Sequence, residues 1–311
     1  SFQGSGIHTR AKVLDFKSVK YPAGLHRKLH QTCFKEHIPG RELTELNTEL
    51  GRFYGEAVNA CLQEWGVDPS TIDCVASHGQ TVYHAPVQQK ANTARTHSTL
   101  QLGEADQIAW QTGIPVVSDF RQKHISAGGE GAPLAVYGDL YLFGKEHESR
   151  ILLNLGGISN ITWLDGPLSS GNLMTTDAGP GNTLINQAVR RYFSGQDYDH
   201  DGEIAKSGKV IPGLLNALLA NPFFNWTFPK STGPETFSWE SVDRTLKESG
   251  KDIAKEDIVA TLTDLTVQSI INGVDAVAKD AAPSKLIVSG GGVHNPVIMD
   301  GLKEYYGSQK G

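Results

Sequence analysis

Cysteine is scarce in this chain, and no apolar run approaches the length needed to cross a bilayer. The three cysteines, Cys33, Cys61 and Cys74, have neither pair spacing nor metal-motif spacing, which excludes a disulfide framework and a zinc module. Cys61 falls on a helical face and Cys74 in an apolar run, so reduced, buried thiols in a cytoplasmic protein are expected. Basic blocks are also missing. With 28 Lys and Arg against 34 Asp and Glu, the net charge is −6, which argues against broad attraction to nucleic acid or anionic membrane. No signal-peptide pattern opens the sequence. Three nucleotide or nucleophile signatures are absent too: the P-loop pattern GxxxxGKS/T, a GxGxxG opening a helix, and a GxSxG elbow. A P-loop NTPase, a Rossmann dehydrogenase and a serine hydrolase of that type are therefore disfavoured. His78 and His84 are spaced too loosely for a helical pair, and with His97 and Cys74 they give no expectation of a metal site.

Glycine, by contrast, is abundant and placed at the ends of apolar segments. At 311 residues and 39% hydrophobic, the chain can bury a sizeable core and is expected to form two domains. Ala11 to Phe16 resembles a strand. Leu43, Leu46, Leu50, Phe53, Ala57, Val58, Cys61, Leu62 and Trp65 recur at helical spacing, predicting a long amphipathic helix that ends near Gly66. TIDCVAS (71–77) reads as a buried strand running into a turn, TLQLG (99–103) as another strand, and EADQIAWQTG (104–113) as a helix closed by Gly113. IPVVSDF (114–120) reads as a strand ending on Asp119. The alternation implies mostly parallel sheet with helices on its faces, an α/β protein.

The glycine cluster AGGEGAP (127–133) breaks this rhythm, and RILLNLGGISNITWL (150–164) restarts it as two strands around Gly156 and Gly157. A domain boundary is placed between about Gly128 and Arg150. LMTTD (173–177) is a third strand, TLINQAVRRYF (183–193) a helix, and KLIVSGGGVHNPVIMDGLKEYY (285–306) a strand, a triple glycine and a helix. The aromatic, proline-rich stretch 221–239 reads as an ordered long loop.

Three glycine turns then follow apolar strands: NLGGISN (154–160), DAGPGN (177–182) and SGGGVHN (289–295). Glycine there lets backbone N–H groups approach phosphate oxygens with no Cβ in the way. A single loop of this kind is ordinary turn chemistry; three in one half of the chain point to a nucleotide site. Asp177 alone would be a turn or capping residue. Beside those loops it reads as a general base or a magnesium-shell carboxylate at a strand end. Arg121, just beyond a strand, is either a surface ion pair or a planar grip for a carboxylate or sugar substituent.

The segments SHGQTVYH, TLQLGEADQIAWQTGIPVVSDFR, GGEGAPL, LNLGGISNIT, TDAGPGNTLI, PKSTGPETF and VSGGGVHNP occur in that order, from about Lys12 to Tyr306. Together they resemble the anhydro-N-acetylmuramic acid kinase family of the actin/hexokinase/Hsp70-like ATPases. The resemblance implies two RNase-H-like domains around a central cleft: residues 1–135 on the sugar side and 136–311 on the nucleotide side. It implies ATP and Mg2+ as cofactors, an amino-sugar substrate and a possible homodimer. Asp177 matches the catalytic base of the family, and Arg121 a substrate-contacting arginine. Thr99 and Gln101 fall in a strand resembling the sugar-contacting one. Gly156, Gly157, Asn160, Gly179, Gly181, Asn182, Gly290, Gly291, Gly292 and Asn295 match nucleotide-binding loops. The implied activity is hydrolytic opening of 1,6-anhydro-N-acetylmuramic acid with phosphorylation at O6. A GTSxDG hairpin and a late helical Glu typical of the family lie outside these residues. The alternative is therefore a shortened sugar-binding or regulatory pseudo-kinase.

Overall fold

The computed structural model describes every residue except 86–96, 133, 167–172, 233–235, 251, 279–284 and 309–311. Residue 133 of GGEGAPL and residues 233–235 of PKSTGPETF thus lie outside the described residues. The architecture is mixed α/β and divides into two compact units. Unit 1 comprises Ser1–Gln3 and Ala11–Leu134; unit 2 comprises Gly4–Arg10 and Ala135–Gly311.

Two two-residue strands, β1 (Phe2–Gln3) and β2 (Arg10–Ala11), open the chain. The strand expected from Ala11 to Phe16 therefore stops at its first residue, and Val13 and Phe16 are 80% and 87% exposed. An apolar run becomes a strand only where a partner satisfies its backbone; β2 pairs with β1 and Lys12 still exchanges hydrogen bonds with Ser1 at 2.9 and 2.8 Å, but no strand pairs with residues 13–16 among the described residues.

The small core of unit 1 forms where α1 (Ala23–Thr32) sets Leu25 and Leu29 against Leu46 and Leu50 of α2 (Gly40–Trp65), with Val82 and Leu102. Helix α2 follows its apolar periodicity and closes on Gly66 in the left-handed conformation. The strands of this unit are β3 (Val75–Ala76), β4 (Gln80–Ala85), β5 (Ser98–Leu102) and β6 (Val116–Val117), with α3 (Ala105–Thr112) and α4 (Phe120–Ser126) between and after them. Among the described residues of this unit only β3 and β6 pair in parallel; β4 and β5 pair antiparallel, so the expectation of mostly parallel sheet is corrected here. The cysteine expectation is corrected as well. Because β3 is only two residues long, the segment before it lies on the surface and Cys74 is exposed, while Cys33 and Cys61 are half-buried.

The main segment of unit 2 starts with α5 (Ala135–Phe143) and continues into β7 (Arg150–Leu155), β8 (Ile158–Leu164) and β9 (Leu173–Pro180). Then come α6 (Thr183–Tyr192), α7 (Glu203–Ser207), α8 (Pro212–Leu219), α9 (Trp239–Ser249), α10 (Lys255–Ala278), β10 (Lys285–Ser289) and α11 (Pro296–Ser308). The sheet order is β10-β7-β8-β9: an antiparallel meander with β10 parallel to β7. Helix α10 is apolar on nearly every side because it is buried on nearly every side, Val259, Leu262, Ile270 and Val274 being fully enclosed. It crosses β9 at close range: a Cβ on Gly273 would lie 2.8 Å from the Ala178 Cβ.

Candidate active site

Asp177 is not the last residue of its strand. Strand β9 runs on to Pro180, and its register with β8 slips at this point: Asn160 pairs with Asp177 and Ser159 with Gly179. Ala178 is the extra residue of a β-bulge, a device that re-aims the neighbouring side chain. The half-buried Asp177 carboxylate accepts from Asn160 Nδ2 at 3.0 Å, from the Thr232 N–H at 2.7 Å and from Ser231 Oγ at 3.4 Å. Burial pushes its carboxyl up from the ordinary carboxylate range, and these hydrogen bonds partly oppose the shift. The result is a fixed carboxylate able to take a proton.

The three glycine turns come together within unit 2. The Gly181 and Asn182 N–H groups donate to the carbonyls of Gly157 and Gly156, at 2.8 and 2.9 Å. Asn182 Nδ2 donates to the Gly156 carbonyl as well, at 3.0 Å, and Thr266 of α10 anchors the Gly181 carbonyl at 2.9 Å. Side chains are excluded where these loops cross. A Cβ on Gly181 would stand 2.4 Å from the Gly156 oxygen, one on Gly290 2.7 Å from the Leu155 oxygen, and one on Gly292 2.7 Å from the Leu155 Cβ. A pocket of about 410 Å³ opens there, lined by Gly156, Gly157, Asn182, Gly291 and the first turns of α6.

Not every predicted residue joins this pocket. Gly179 is buried in β9, where a Cβ would meet Ser269 at 2.8 Å, so it serves helix packing. Asn160 holds Asp177 instead of lining a loop. The buried Asn295 accepts from the Val297 N–H at 3.1 Å and thereby starts α11. Sequence reasoning also passed over residues that do line the pocket: Thr183, Asn186, Gln187 and Arg190. Their i, i+3, i+4, i+7 spacing is one helical face and could have been read as a polar stripe. Ser231 and Thr232 carried no such signal, lying more than fifty residues from Asp177 (54 and 55 positions).

Unit 1 carries a second pocket, of about 330 Å³, lined by Asn47, His78, Gln101, Glu104, Asp119 and Gln122 among others. Asn47 of α2 builds one wall by accepting from the Gly103 N–H at 2.8 Å and donating to Glu104 at 2.9 Å. Gln101 donates to the buried Thr99 hydroxyl at 2.8 Å and to Thr81 at 3.2 Å, while its carbonyl oxygen is sealed off with no donor among the described residues. Thr99 therefore supports Gln101 and does not line the pocket. Asp119 sits at φ +57° at the start of α4, an uncommon conformation for a non-glycine residue. Arg121 donates through Nη1 to the Gly131 carbonyl at 2.7 Å and approaches His78 Nε2 at 2.8 Å. His78 Nδ1 faces the Gly79 carbonyl at 2.9 Å, which fits a neutral ring accepting from the arginine. No carboxylate lies within ion-pair range of Arg121 among the described residues.

Residues 6–310 match the family model described as anhydro-N-acetylmuramic acid kinase. The chain belongs to that kinase family. An anhydro-N-acetylmuramic acid kinase of Pseudoalteromonas atlantica is 42% identical over 299 residues, covering 96% of this chain and 75% of the relative. One from Bacillus thuringiensis is 35% identical over 305 residues, covering 97% and 78%. Among solved structures, a ROK family glucokinase from Streptomyces griseus in complex with glucose and AMPPNP aligns with a TM-score of 0.31 at 14% identity, over 81% of this chain and 76% of that one. Likeness at that level carries no argument about the site. Among the described residues no helix is long and apolar enough to span a membrane.

Proposed function

We propose that this member of the family opens the 1,6-anhydro ring of anhydro-N-acetylmuramic acid with water and transfers the ATP γ-phosphate to O6, giving N-acetylmuramic acid 6-phosphate. The observation that carries the reading is Asp177, a half-buried carboxylate held by Asn160, Ser231 and Thr232 in the unit that also carries the converged glycine loops. As water adds at the anomeric carbon, Asp177 takes its proton and the C1–O6 bond breaks; O6 then bonds to phosphorus and ADP leaves. Positioning of the water supplies much of the rate.

The loops around Gly156, Gly157, Gly181 and Gly290–Gly292 fit a nucleotide because the pocket beside them is lined by Gly156, Gly157 and Gly291, which put no Cβ in the way of a phosphate. Residues 136–311 are thus assigned the nucleotide and residues 1–135 the sugar. Among the described residues no group of three or more His, Cys, Asp or Glu could hold a metal. Magnesium would then come with the nucleotide, held mainly by phosphate oxygens and water, and would neutralise phosphate charge. In unit 1 Gln101 lines the pocket assigned to the sugar, and Arg121, without a carboxylate of its own, suits the lactyl carboxylate.

Two expected outcomes test these assignments. Arg121→Ala should weaken sugar affinity by about 1.5–3 kcal/mol while leaving ATP affinity unchanged, since a charged hydrogen bond is lost. Isothermal calorimetry showing unchanged sugar affinity would remove the contact. The second outcome concerns pH. A base works only when deprotonated, so kcat should fall as pH drops through the Asp177 pKa. Because burial raises that pKa, the acid limb should lie above the ordinary Asp value of about 3.9. A profile flat down to that value would contradict the role.

The reading as a whole is tested by sugar-dependent ADP release. ADP formed with the anhydro sugar and not with N-acetylglucosamine supports it. Sugar binding with no ADP formed would favour the non-catalytic, sugar-binding alternative.

A further inference from the structure

Lys230 is one of the most deeply buried charged residues of the protein, only 7% exposed. Among the described residues no carboxylate lies within ion-pair distance of it. Its ammonium donates to two carbonyl oxygens of the short helical turn Pro222–Asn225: that of Phe223 at 3.0 Å, which also accepts from the Trp226 N–H at 3.1 Å, and that of Phe224 at 3.3 Å. The same nitrogen lies 4.3 Å from the Phe223 ring centre and 4.4 Å from that of Phe228. A desolvated cation against two aromatic faces and two carbonyls is held, though burial pushes its pKa down.

The backbone of the same residue is joined to the base-bearing strand. The Lys230 N–H donates to Thr176 Oγ1 at 2.9 Å, Thr176 Oγ1 lies 3.0 Å from the Lys230 carbonyl, and that carbonyl accepts from the Asp177 N–H at 2.9 Å. Two residues on, the Thr232 N–H meets the Asp177 carboxylate. One residue thus links an aromatic cage to the donor that orients the base.

We propose that Lys230 is a positioning residue for Asp177: its caged ammonium fixes the 223–232 segment so that the Thr232 N–H and the Ser231 hydroxyl stay on the carboxylate. This rests on the reading of Asp177 as the base, but the geometry it asserts can be tested apart from catalysis. Lys230→Met fills the same volume and removes the donor; Lys230→Arg keeps charge and donors. In Lys230→Met, loosening the two donors should lower kcat about 10- to 100-fold with KM for the sugar within about threefold, and move the acid limb of the kcat profile to higher pH. Lys230→Arg should recover part of kcat and return the limb toward wild type.

The decisive readout is the carboxyl 13C titration of Asp177 by NMR. Loss of stabilising donors should move it upward in Lys230→Met. If Asp177→Asn keeps turnover, the base reading falls while this titration still decides the positioning. Should Lys230→Met fail to fold, Lys230→Leu, which is also neutral and has no donor for the carbonyls, carries the same measurement. An Asp177 titration and an acid limb unchanged in a folded neutral variant would overturn the proposal.

Discussion

Asp177→Asn should fold, bind the anhydro sugar within about tenfold of wild type, and turn it over more than about a thousandfold more slowly, in the upper part of the range for loss of a general base. The fold should survive because the polar network can adapt. The introduced amide can keep its carbonyl oxygen on the Thr232 N–H, and Asn160 can rotate its own amide to accept where it now donates. Stability should also shift in a defined direction. The folded-state pKa of Asp177 is raised, so its ionisation costs stability as pH rises through that pKa, and the neutral amide relieves the cost at pH 7. Thermal unfolding at pH 7 should therefore show a melting temperature equal to or above wild type. Near-normal turnover by the folded variant would sink the assignment of Asp177.

Gly290→Ala should damage the nucleotide site and the unit that carries it together. Gly290 has φ +89° and ψ 172°, a region open essentially only to glycine, and a Cβ there would also press on the Leu155 carbonyl at 2.7 Å and Asn154 Oδ1 at 2.6 Å. The backbone strain costs about 1–3 kcal/mol and the crowding a similar amount, so a fall in melting temperature of about 5–15 °C is expected. The displaced Leu155 carbonyl belongs to the strand that feeds Gly156 and Gly157, so ATP affinity should drop about tenfold or more. Sugar affinity should stay near wild type. Unchanged ATP affinity in Gly290→Ala would separate the triple-glycine turn from the nucleotide.

What could be read from the sequence was whatever depends on neighbours in the chain. Helix α2 and its stop at Gly66, helix α3 and its stop at Gly113, and the β7–β8 hairpin around Gly156 and Gly157 all follow from local periodicity and turn chemistry. The apolar run from Ala11 to Phe16 shows the limit: its composition suits a strand, but pairing depends on a partner that composition does not reveal. The pairing direction of β5 was hidden for the same reason.

Within the site, the three glycine turns were visible but their individual duties were not. A glycine that lets a ligand approach and one that lets a helix approach look alike in sequence, and Gly179 proved to be the second kind. Asn160 and Asn295 likewise read as loop residues until their partners, Asp177 and the Val297 N–H, were placed. Lys230 and Thr232 reach Asp177 only through tertiary contacts, and no local pattern announces such contacts.

The most direct test of the proposed reaction is mass spectrometry of 1,6-anhydro-N-acetylmuramic acid incubated with the protein, ATP and magnesium in heavy-oxygen water. The account predicts N-acetylmuramic acid 6-phosphate with one heavy oxygen at the anomeric hydroxyl and none in the phosphate. A phosphorylated sugar with an unlabelled anomeric oxygen, or bound sugar left unchanged with ATP present, would contradict it.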